Sequence, residues 1–241
     1  MVNFYTYNTK MLINAVFFTI FLLFGPSSFS SELDNNDPWE NVNRNIFEFN
    51  NKLDDNVFIP IAKAWRKVPD IPREPIANAA SMAKTPVSLG NAILQLNKKS
   101  IGDILARFII NITFGLGGLF DPASTEEFGG IREVEEDFGQ TLGVWGFDAG
   151  PYVFLPVFGA SNLRDSVGMI IDALFNPIRY IENIESRYAL YLADELDFRS
   201  SLLAYDELII GDRYLFVREA YIQNREYVVN DGEVINEFGD F

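Results

Sequence analysis

Apolar residues recur at helical spacing along most of the chain. Trp39, Val42, Ile46, Phe49 and Leu53 follow one another at steps of three and four, a single stripe of an amphipathic helix. Asn41, Arg44, Glu48, Asn51, Lys52 and Asp55 occupy the opposite side, so the stripe is expected to face a core. Asp37-Pro38-Trp39-Glu40 has the form of a helix start, with Asp37 as cap, Pro38 at the first helical position and Glu40 reaching back. Pro60 ends or kinks that helix. Pro69, Pro72 and Pro75 mark a break, helical pattern resumes over 76–82, and Pro86 is expected to interrupt it. Val87, Leu89, Ile93, Leu94 and Leu96 then lead to Asn97-Lys98-Lys99, cations suited to a helix C-terminus, with Ser100 as the next cap. In the helix that follows, Ile101, Leu105, Phe108 and Ile112 form a stripe, and Asp103, Arg107 and Asn111 lie four apart on a neighbouring line. Further helices are predicted over Leu163–Leu174, Ile181–Leu203 and about Asp212–Val228. Strand signals are weak, so the pattern predicts one mainly α-helical domain.

Two stretches break this periodicity. Gly115-Leu116-Gly117-Gly118 ends a helix with three glycines, which permit backbone angles closed to other residues or the close approach of another segment. It lacks the Lys-Ser/Thr of a phosphate loop, and no strand precedes it. Between Asp137 and Asp165, glycines and prolines sit among bulky apolar residues, and Asp148 is the one charge before Arg164. Backbone so irregular and so apolar needs protein or a lipid boundary to cover it.

Composition narrows the chemistry. The chain of 241 residues contains no Cys and no His, which removes thiol chemistry, Ser-His-Asp triads and most zinc sites. No metal, cofactor or catalytic residue is expected. The formal net charge of −15 disfavours nucleic acid and any basic hold on anionic lipid. The acids between Thr125 and Asp137 are expected to form a solvated loop rather than a carboxylate pair in a cleft. Residues 1–30 have the layout of a secretory signal peptide: Lys10, the fourteen-residue apolar run Met11–Phe24, then small residues around a cut after Ser30. At 1.5 Å per residue that run reaches only ~21 Å, short of a hydrocarbon core of ~30 Å. Beyond it, the longest uncharged runs, Thr85–Asn97, Phe108–Phe120 and Ala149–Leu163, hold thirteen to fifteen residues. Such runs fit buried core helices or segments that enter one leaflet and stop.

The wording of the chain resembles the VacJ (MlaA) family of outer-membrane phospholipid-trafficking proteins. The likeness rests on Asp37-Pro38-Trp39-Glu40 with Asn43-Arg44 and Phe47-x-Phe49-Asn50, and on Arg107-Phe108-x-x-Asn111 running into Gly115-x-Gly117-Gly118-x-x-Asp121. It continues through Asp137-Phe138-Gly139-Gln140-Thr141-Leu142-Gly143, Gly150-Pro151-Tyr152, Leu163-Arg164-Asp165 and Val217-Arg218-Glu219-Ala220-Tyr221-x-Gln223. The resemblance implies a helical ring embedded in one leaflet of the outer membrane from the periplasmic side, with a central amphipathic channel. It implies removal of mislocalised phospholipids from the outer leaflet and their transfer to a soluble periplasmic carrier that feeds an inner-membrane ABC transporter. A trimeric porin is the implied neighbour, and a porin-binding module without a channel is the alternative. Many members carry a lipid-modified cysteine at the cleavage site, whereas this region reads Ser28-Phe29-Ser30-Ser31-Glu32. The expected organisation is a signal peptide over 1–30, a VacJ-like helical domain over 31–229 and an acidic, flexible tail over 230–241. Candidate channel residues are Asn43, Asn111, Gln140, Thr141 and Arg164 with Asp165 as its partner, and Gly115, Gly117 and Gly118 form a candidate hinge beside the passage.

Overall fold

The computed structural model describes residues 37–206 and 209–232; the expected leader and the tail beyond 232 lie outside the described residues. Helix α1 (Glu40–Leu53) runs through a π-helical turn (Asp54–Phe58) into α2 (Ile59–Trp65). Long helix α3 (Asp70–Leu94) is followed by α4 (Lys98–Thr113) and short α5 (Phe138–Val144). Strands β1 (Tyr152–Leu155) and β2 (Gly159–Asn162) form an antiparallel hairpin that pairs Tyr152 with Asn162 and Leu155 with Gly159. Helices α6 (Leu163–Phe175), α7 (Ile184–Leu202) and α8 (Arg213–Val229) complete the described chain. The mainly helical reading holds, and the three last helices fall close to their predicted bounds.

Several local expectations are corrected. Pro75 and Pro86 lie inside α3 and do not end it. Pro75 falls in the first turn after a kink at the non-helical Ile71, where no helical bond is lost; Pro86 removes one, but the helix is held along its length by α4, α5 and α7 packed against it. The cap of α4 is Asn97, whose side chain accepts from the Ser100 amide, while Ser100 lies inside the helix. Asp37 does not cap α1; its carboxylate accepts from Asn43 (2.7 Å) and from the Tyr214 hydroxyl.

The predicted stripe of α1 faces the core only in part: Ile46 packs against it, while Val42 and Phe49 turn outwards. Val42 and Phe49 are 56% and 53% exposed, and the buried residues of the helix are Asn43 and Phe47. The reason lies in the hairpin beside it. Asn43 donates to Tyr152 O (3.1 Å) and accepts from Phe154 N (2.9 Å), while Asn50 donates to Leu155 O (2.8 Å) and accepts from Val157 N (2.9 Å). Two asparagines seven residues apart on one helix face thus stand in for the missing neighbour strand of β1. Phe47 lies between them and stacks edge-on against Phe154 and Tyr214, with ring centres at 5.3 and 5.5 Å. Replacing Asn43 with Ala is expected to destabilise the protein by about 1–3 kcal/mol, because buried backbone and carboxylate partners lose their bonds. Denaturant unfolding of the variant measures this.

Neighbour packing closes a circuit: α1, the π turn, α2, α7, α3, α5, α8, β2, β1 and back to α1. Charged side chains tie the α7 side of it. Arg199 grips Asp54 at 2.9 and 2.8 Å, and Asp197 accepts from both Trp65 and Arg73 at 2.9 Å. Large apolar side chains stand outside. Ile109, Ile112, Phe114 and Leu116 near the end of α4, Trp145, Phe147, Val157 and Phe158 around the hairpin, and Ile170, Leu174 and Phe175 of α6 are all exposed. No helix among the described residues is long and apolar enough to cross a membrane.

Candidate functional site

Three cavities follow one another through the structure. One of about 410 Å³ is walled by α3 (Lys84, Val87, Ser88), residues 135–137, β2, α6 and α8. A second, of about 450 Å³, lies between α3, Glu133, Glu135 and the α7 residues Asp194, Glu195, Asp197, Phe198 and Ser201. Lys84 and Glu135 line both. A third, of about 440 Å³, lies between residues 143–149 and α8, and shares Tyr221 and Arg225 with the first. A smaller space of about 80 Å³ behind α4 also meets Lys84 and Glu135.

Arg225 forms the partition between two of these cavities. Its guanidinium meets Asp137 with two parallel bonds of 2.6 Å and Asp165 through Nε at 2.5 Å. Asp165 also accepts from the Tyr221 hydroxyl (2.6 Å), Asn162 (2.7 Å) and Arg164 (2.9 Å). Burial opposes the charge on Asp137, but the hydrogen bonds and charge of Arg225, with help from Gln140, outweigh it and hold its pKa below the usual value. Asp137 caps α5 through the Gln140 amide, and Asn162 caps α6 through the Asp165 amide. The two helices then cross with backbones in contact: a Cβ on Gly168 would stand 2.3 Å from Gly139 N. A second tier joins α3 to the same place. Asp172 accepts from Asn91 (2.9 Å) and Phe138 N (2.8 Å), and Thr141 donates to Asn91 (3.0 Å) while accepting from Gln95 (3.1 Å).

These contacts place the sequence candidates in three groups. Gln140, Thr141, Arg164 and Asp165 come together around Arg225; Arg164 lines the 440 Å³ cavity and Asp165 the 410 Å³ one. Asn43 is apart, pinned to the hairpin. Asn111 and the glycines form the third group at the end of α4. There Asn111 (2.8 Å) and Arg107 (2.9 Å) converge on Asp121, which turns part of the predicted polar line inwards, while Asp103 faces Lys99 on the surface. Leu116, Gly117 and Gly118 have successive left-handed φ angles of 53°, 76° and 91°, and Gly118 N returns to Asn111 O at 2.9 Å. A Cβ on Gly115 would lie 2.3 Å from Phe120 O, and one on Gly118 would strike Met82, but one on Gly117 meets open space. Valine at Gly117 therefore acts through backbone strain rather than by filling a gap.

Arg225, Tyr221, Lys84 and Glu135 were missed as candidates. Tyr221 and Arg225 are one turn apart on α8, a spacing that marked one helix face but not its partners. The acidic run is solvated only in part. Glu126 and Glu127 are exposed, whereas Glu136 is 7% exposed and hydrogen-bonded to Ser100 (2.8 Å), and Asp137 holds Arg225.

Charges, amides and hydroxyls line the cavities beside apolar side chains such as Val87, Met169 and Ala173. Set among helices whose large apolar side chains stand outside, these spaces define a mainly helical protein with cavities of mixed polar and apolar lining. The chain belongs to the MlaA lipoprotein family, whose model matches residues 35–228. It is 33% identical over 230 residues to the intermembrane phospholipid transport system lipoprotein MlaA of Shigella flexneri, covering 93% of this chain and 91% of that one. It is 35% identical to the protein of the same name from Haemophilus influenzae, covering 84% and 82%. A solved structure described as the structural basis for maintenance of bacterial outer membrane lipid asymmetry matches with a TM-score of 0.69 and 36% identity, over 80% of this chain and 99% of that one.

Proposed function

We propose that this protein is the outer-membrane component of a phospholipid transport system, taking mislocalised phospholipids from the outer leaflet and passing them to a soluble periplasmic carrier. The observation that carries this reading is the row of cavities, part polar and part apolar in lining, between helices with apolar outer faces. A headgroup loses water at high cost unless polar groups replace it, and the cavity walls supply amides, hydroxyls and charges. The body would sit in the inner leaflet, with α4, the 145–158 segment and α6 against acyl chains. The relatives' names support the lipid assignment, and no nucleotide or catalytic chemistry is required for downhill passage. An ABC transporter behind the carrier would supply direction, and a trimeric porin would flank the ring. Export by the leader over 1–30 would deliver the chain to the periplasm. The glycine turn at 115–118 would border the passage, with Asn111 beside it.

Embedding makes a first prediction: the protein is expected to stay with outer membranes after high-salt and carbonate washes, since salt does not screen apolar burial. Release of most of the protein would sink the embedded reading. The passage makes a second. The chain has no cysteine, so Ala173→Cys places a single thiol in the wall of the 410 Å³ cavity. A bulky maleimide at that thiol is expected to stop lipid transfer, leaving unlabelled Ala173→Cys and surface-labelled Ser124→Cys active. Unchanged transfer after complete labelling at 173 would point to a porin-binding module without a channel.

A further inference from the structure

The junction between the 410 and 450 Å³ cavities is unusual in its balance of charge. Lys84 and Glu135 line both spaces, and Glu133, Asp194, Glu195 and Asp197 line the second. Most of these acids already have partners: Asp194 takes Lys84, Asp197 takes Arg73 and Trp65, and Glu133 accepts from Ser81. Glu135 and Glu195 make no side-chain hydrogen bond or ion pair among the described residues. In the adjoining cavity Glu136, almost wholly buried, leaves Oε2 without a donor. Both side chains are open to the cavity space; desolvation by the surrounding walls pushes their carboxyls up, and the charge of Lys84 only partly offsets it. Burial also opposes the charge on Lys84, but its bond to Asp194 and the surrounding carboxylates keep it a firm cation.

We propose that this junction selects phospholipids by headgroup charge, favouring zwitterionic, amine-bearing headgroups over net-anionic ones. The ammonium of an ethanolamine headgroup supplies what Glu135 and Glu195 lack, while Lys84 turns from Asp194 to meet the phosphate. A glycerol headgroup brings the same phosphate with no cation, so its net negative charge meets the unpaired carboxylates with nothing to offset them. Neither carboxylate takes part in the Arg225 network, so neutralising both leaves that part of the fold intact.

This inference rests on the passage proposed above. The test incubates detergent-purified protein with vesicles of equal phosphatidylethanolamine and phosphatidylglycerol of matched acyl chains, then repurifies it and measures retained lipid by mass spectrometry. The wild type is expected to retain the ethanolamine lipid in about tenfold excess, the order given by one charge-assisted contact. The Glu135→Gln/Glu195→Gln double variant is expected to fall to near parity, and Lys84→Gln to retain less of both lipids. Parity in the wild type, or an excess unchanged in the double variant, would overturn the selectivity while leaving the passage standing. No retained lipid, together with no effect of the maleimide at Ala173→Cys, would remove both.

Discussion

Replacing Arg225 with Met is expected to cost about 3 kcal/mol at neutral pH, the penalty for removing the cation shared by two carboxylates of a largely buried network. Asp165 dominates, because its side chain is only 9% exposed and Arg225 sits 2.5 Å from it. Asp137, at the more open end of the clamp, adds less. The deficit is expected to depend on pH with a definite sign. In the wild type the pKa of Asp137 lies below its usual 3.8, so its contribution is present above that value and lost as pH falls through the folded pKa. In Arg225→Met, Asp165 keeps Arg164 at 2.9 Å, but Asp137 loses its cation. The penalty on Asp137 appears at higher pH and is relieved by protonation as pH falls. The stabilities of the two proteins should therefore converge on acidification. Denaturant midpoints measured from neutral pH down to the carboxylate range check this; a constant gap would show that Arg225 acts through packing alone. Arg225→Lys should recover only part of the loss, since an ammonium cannot make the parallel pair to Asp137.

Gly168→Val is expected to be equally severe. A Cβ at 168 falls 2.3 Å from Gly139 N and 2.7 Å from Gly139 Cα, both backbone atoms that cannot swing aside. Helices α5 and α6 would have to separate, pulling Asp137 from Asp165 and loosening the seat of Arg225. The expected loss is about 3 kcal/mol, the upper end of ordinary overpacking, seen as a lower denaturant midpoint and reduced abundance in membranes. Gly102→Ala supplies the contrast. Nothing lies within 4 Å of its added methyl, and position 102 is inside α4, so a gain of up to about 1 kcal/mol is expected. If both substitutions were neutral, the close crossing of α5 and α6 would be refuted.

Much of the helical layout was legible because it is local. The periodicity of α6, α7 and α8 and the end of α4 at the Gly115 turn follow from backbone rules that act within a few residues. The orientation of those helices was not legible. Periodicity marks the apolar side of α1 but cannot say whether protein or lipid covers it. Here Asn43 and Asn50 face inwards because the β hairpin, more than a hundred residues away in sequence, presents unpaired backbone to them. The same limit hid Arg225. Its residue type and spacing fit a solvated face of α8, and only the approach of α5 and α6 turns that face into a clamp.

The sequence by itself determined a mainly helical chain without thiol or imidazole chemistry, bearing apolar runs too short to cross a bilayer and wording that identifies its family. Those properties are sums over residues or short windows, so no partner needs to be known. Tertiary structure decided which acids are solvated and which are held, which glycines are required by contact and which by backbone angle, and where the cavities lie. Each of these depends on groups far apart in the chain, and burial sets their charge and packing energies only after the circuit of helices has closed.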